Sequence, residues 1–368
     1  MKATRRFGFD QRGFTLVELL LSTAIIGLLL LVLTSITEST RKTWITTTAR
    51  NEEFRGARTG FEVITRRLSQ ATLNTYWDYF DASGNSRTPA NSANFVPARY
   101  GRQSELRFIS GQASAIGLPA SSCPTHAVFF QAPLGFVSDT TKYSRMENLL
   151  NTWGYFIQFG DDSAYRPSFV TKQLVPYRAR FRLMEMMEPS ETLSLYPEEL
   201  NAGGNSLYTT RSWYLNPFSV TSRPPRVVAE NIVALVLLPK LTPLDQKAGN
   251  YNDGSLAPGY LYDSINSNAD PNLNSKNQLP PVIQVTMVAV DETSFSRFQK
   301  TSASLPAFGL SGLFTTVGDT SDPTKSGLAK DLQTLQTTLQ NSKPAITYRV
   351  FSTNVSIKAA KWSREQAN

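Results

Sequence analysis

The apolar positions change rhythm along the chain. Residues 14–33, FTLVELLLSTAIIGLLLLVL, form an unbroken apolar run that holds one charge, Glu18. A helix of about 20 residues rises about 30 Å, the thickness of a bilayer's hydrocarbon core, so the run predicts a membrane-spanning helix. From Phe54 the apolar residues fall at Phe54, Ala57, Phe61, Ile64, Leu68 and Ala71, which share one helical face. Arg55, Arg58, Glu62, Arg66, Arg67 and Gln70 occupy the other. No proline precedes Pro89, so the two segments read as one helix over 14–75, about 90 Å long if continuous.

Beyond Tyr76 the pattern turns to strands separated by long polar stretches. Strand-like segments are 104–111, 126–133, 153–160 and 177–187. Residues 227–238, VVAENIVALVLL, predict one strand buried on both faces, and 281–290 a strand with one core face. Leu328, Leu332, Leu335 and Leu339 predict a helix over 328–341. A strand follows over 346–357, where a change of apolar phase between Val350 and Phe351 predicts a bulge. The stretches 83–98, 189–204, 242–278 and 302–326 are expected to be surface loops. The fold class expected is α+β, a long N-terminal helix packed on a large β-rich head.

Composition excludes several functions. The chain has 368 residues, 40% hydrophobic and 18% charged, which fits a folded core and not disorder. A single cysteine, Cys123, permits no intrachain disulfide, and one Cys with one His excludes the common Cys/His zinc sites. His126 is the sole histidine, sits in a strand-like Thr-His-Ala-Val-Phe-Phe, and has no G-x-S-x-G elbow to serve. It reads as a surface or satisfied strand histidine. The 318–326 stretch, GDTSDPTKS, has Pro323 and Thr324 where a phosphate loop needs its glycine and lysine geometry. Asn250, Asn252, Asp253 and Asp263, and the pair Asp161–Asp162, are oxygen-rich but lack EF-hand spacing. No enzyme activity, cofactor or metal is expected.

Lys2, Arg5, Arg6 and Arg12 stand against Asp10 ahead of the apolar run. Basic flanks stay in the cytoplasm, which predicts N-terminus in and the bulk of the chain out. A secretory signal peptide would have a shorter apolar region and a small-x-small cleavage site, and Thr34-Ser35-Ile36-Thr37 offers none. The net charge of +8 is partly a property of residues 34–75, with seven basic residues against four acidic ones. A solvated stalk face near lipid headgroups accounts for that excess, so nucleic acid is not an expected partner.

Gly13-Phe14-Thr15-Leu16-Val17-Glu18-Leu19-Leu20 resembles the GFTLxE processing site of type IV pilins and type II secretion pseudopilins. The resemblance implies that a prepilin peptidase cuts after Gly13 on the cytoplasmic side and methylates Phe14 as the new first residue. It divides the chain into a cleaved basic leader (1–13), a transmembrane or filament-core helix (14–33), an amphipathic stalk helix (34–75) and a β-rich periplasmic head (76–368). The motif has its own physical logic. A carboxylate within a bilayer costs about 2.5–3.5 kcal/mol on insertion scales. Cleavage at Gly13 would create a cationic amine four residues from Glu18, and one subunit's amine could neutralise its neighbour's Glu18 as helices stack with an offset.

Arg66-Arg67-Leu68-Ser69-Gln70-Ala71 and the large head look like the J-type minor pseudopilins. FEVITRRLSQATLNTYW, VVAENIVALVLLPKL and VIQVTMVAVDE resemble the prepilin-like Verru_Chthon cassette protein C group. The expected function is structural: a minor pilin or pseudopilin near the tip of a type II secretion-like or type IV pilus-like filament. Expected partners are prepilin peptidase, other pilin-like subunits, an inner-membrane assembly platform and lipid. The head would lie in the periplasm of a bacterial cell, on a single-pass inner-membrane anchor. The alternative is a membrane-anchored protein whose head captures DNA or glycan.

Overall fold

The computed structural model describes residues 15–87, 91–146, 149–167, 169–170, 175–193, 213–215, 224–249, 255–266, 274–299 and 304–362, without the side chains of 46 and 49–53. Helix α1 spans Leu16–Leu68. Contacts divide the chain into two units, Met1–Glu52 and Glu53–Asn368.

In the first unit the described apolar side chains of α1 are exposed. Leu16, Leu21, Leu28, Leu31 and Leu33 are each at least 60% exposed. Several hydroxyls there are satisfied within the helix: Thr23 donates to Leu19 O, Thr34 to Leu30 O and Thr37 to Leu33 O. Such back-bonding meets the needs of these three groups without water.

In the second unit the amphipathic end of α1 buries Ala57, Phe61, Ile64 and Leu68, with Phe54 partly buried against the same core. The helix stops at Leu68, short of the expected Thr75. Gln70 and Ala71 bond back three residues to Arg67 and Leu68 carbonyls, and Thr72 N–H donates to Gln131 O instead of continuing the spiral. The Asn74 side chain then accepts the N–H groups of Glu105 and Leu106. Arg67 departs from its expected place on the solvent face. Its guanidinium lies 4.1 Å above the Trp153 ring and reaches Tyr155 and Glu185.

Every strand pairing is antiparallel. A hairpin joins β1 (Tyr76–Phe80) to β2 (Arg99–Gln103). Six strands follow as one sheet: β3 (Ile109–Gln112), β4 (His126–Ala132), β5 (Asn151–Gly160), β6 (Arg180–Glu188), β7 (Arg226–Glu230) and β9 (Tyr262–Asp263). Their order is β7-β6-β5-β4-β3-β9. Strands β8 (Ile232–Lys240), β10 (Val282–Val290) and β11 (Tyr348–Ser356) form a second sheet in the order β11-β10-β8. Short helices α2 (Pro243–Gly249) and α3 (Glu292–Phe298) and the longer α4 (Leu328–Asn341) complete the regular elements.

The α+β class is as expected, a long apolar N-terminal helix followed by a β-rich head with several sheets. Four details are corrected. The single strand expected over 227–238 is two, β7 and β8, which turn from one sheet into the other at Asn231 (φ 61°). Asn tolerates this left-handed conformation better than a branched residue would. The bulge expected between Val350 and Phe351 is absent, since β11 pairs with β10 in unbroken register. Val350 and Phe351 are both half-buried, because neither face of β11 is fully solvated there. The 104–111 strand is shortened to β3, with Leu106 to Phe108 held instead by the side chains of Ser104, Gln131 and Ser264. The 242–278 and 302–326 stretches, expected as surface loops, contribute Leu256, Tyr260, Tyr262, Leu310 and Phe314 to the core.

Candidate processing and assembly segment

Gly13 and Phe14 lie outside the described residues, and Glu18 is in the first turn of α1. Thr15 and Glu18 form a reciprocal cap. The Glu18 carboxylate accepts Thr15 N–H and Oγ1–H, each at 3.0 Å, and Glu18 N–H donates to Thr15 Oγ1 at 3.3 Å. This capping box satisfies two of the amides that a helix start leaves without partners. The Thr-x-x-Glu spacing was available in the sequence and escaped a reading centred on charge pairing. The carboxylate thus has a local role in the precursor. It also sits at the partly positive end of the helix, where negative charge is favoured.

Among the described residues one helix is long and apolar enough to cross a membrane, Leu16–Ile45. The ion pair after its apolar part, Glu38–Lys42 at 2.7 Å, is exposed and adds little stability.

The other sequence candidates have structural occupations. His126 is fully buried. Its Nδ1 accepts Leu237 N–H at 3.1 Å, which leaves the proton on Nε2 to be donated to Phe314 O at 2.9 Å. Burial pushes its pKa down to about 4. Asp263 is buried in an ion pair with Arg107. Asp161 accepts Ser163 N–H and Oγ–H, and Asp162 pairs with Arg166 at 2.8 Å. Asn250, Asn252 and Asp253 lie outside the described residues. No group of three or more His, Cys, Asp or Glu able to hold a metal occurs among the described residues. In the 318–326 stretch Asp319 accepts the N–H groups of Ser321 and Asp322 and binds Lys325 Nζ at 3.2 Å, so the loop's lysine is engaged within it.

A family model, the prokaryotic N-terminal methylation motif, matches residues 9–34. No curated protein and no solved structure matches the chain. The match covers the processing motif and most of the apolar run. It supports a type IV pilin-like or pseudopilin-like substrate of prepilin peptidase, anchored in the membrane through its N-terminal helix.

Proposed function

We propose that the chain is a minor pilin or pseudopilin, cleaved after Gly13, N-methylated at Phe14 and assembled near the tip of a type II secretion-like or type IV pilus-like filament. One observation carries the reading: the methylation motif runs into the start of a helix whose apolar side chains between Leu16 and Ile45 are exposed. Such a surface needs lipid or the matching helices of other subunits. Removing the leader would bring the new Phe14 amine next to the Thr15–Glu18 cap. The amine would then be a second, cationic partner for the carboxylate, from its own chain or from a neighbour. Once the helix packs among others, an unpaired Glu18 would be costly, so pairing selects the correct stagger. The large head favours a low-copy position over dense repetition along a thin filament. The mechanical role requires no catalytic group.

The test is expression with a prepilin peptidase and intact-mass measurement. The wild-type chain should lose residues 1–13 and gain one methyl group, while Gly13→Ala should keep its original start. Glu18→Ala should still be cleaved but should be lost from filaments. A Gly13→Ala chain that matures normally overturns the processing site, and normal incorporation of Glu18→Ala overturns the pairing.

A further inference from the structure

We draw no further inference here: the strongest candidate, the half-exposed aromatic face of Trp77, Tyr79 and Tyr100 on the β1–β2 hairpin, carries nothing, because packing of these rings across the two strands already accounts for them and nothing in the structure shows what covers them.

Discussion

His126 joins parts of the fold more than a hundred residues apart: β8 through Leu237 and a core loop through Phe314. The imidazole serves both only while neutral, since a protonated ring has no acceptor for Leu237 N–H. Its folded pKa is about 4, against 6.5 unperturbed, so the unfolded chain binds the extra proton first as pH falls. The stabilisation is fully present above about pH 6.5 and is lost progressively toward pH 4, worth at most about 3 kcal/mol. His126→Gln keeps an acceptor and a donor without a titrating ring. Thermal melts between pH 4.5 and 7 should show a steep wild-type decline that is flattened in the variant. Equal slopes for the two proteins would remove histidine as the cause. The strand position of His126 could be read from its neighbours, but the choice between a surface and a satisfied buried histidine, and its tautomer, could not, because both partners come from distant segments. The methylation motif was legible for the opposite reason: it lies within a few consecutive residues.

At the scale of elements, the amphipathic end of α1 is fastened by apolar burial and one polar clip. Arg67 donates to Tyr155 Oη at 3.0 Å and to the Glu185 carboxylate, which also accepts Tyr155 Oη–H at 2.8 Å. Burial and the Glu185 charge hold the Tyr155 phenol far above its ordinary pKa, so it stays a donor. Arg67→Met would leave Glu185, 11% exposed, without its cation. The expected loss is about 2–3 kcal/mol, below the usual figure for a fully buried pair because the Arg67 side chain remains 31% exposed. Adding Glu185→Gln should recover part of it. Urea unfolding of the single and double variants measures both, and additive losses would mean that the two groups do not interact. The same region shows what periodicity carries. The 3-4 spacing located the buried face of α1, and apolar runs located β4, β5, β10 and α4. The turn at Asn231 was missed because the polar pair Glu230–Asn231 is only two residues long between the apolar residues 227–229 and 232–238. The β1–β2 hairpin was missed because Trp77 and Tyr79 each pack on Tyr100 while all three remain about half exposed, a pattern without core alternation.

For the whole molecule, two kinds of apolar surface require two solvents. Beyond Glu53 most of the described large apolar side chains are buried in a continuous core that draws on α1, both larger sheets and the segments between them. Among its polar members, the Arg107–Asp263 pair and His126 find their partners inside the same unit. Strand order could not be read from the sequence, because it depends on which buried faces meet and not on any one segment. From Leu16 to Ile45 the apolar surface is exposed among the described residues, and at roughly 25 cal/mol per Å² its exposure to water would be prohibitive. The full chain should therefore sediment with membranes and require detergent. A chain starting at Glu53 should remain in the aqueous fraction, with the circular dichroism of a β-rich protein and a cooperative melt. Ala57, Phe61, Ile64 and Leu68 are still present in that chain, so it keeps the helical face that closes the core. Removing residues through Leu68 should instead uncover Leu183 and Ala229, which lie against Gly60, and aggregate. If the chain beginning at Glu53 precipitates while the one beginning after Leu68 folds, the last turns of α1 belong to the anchor and not to the head.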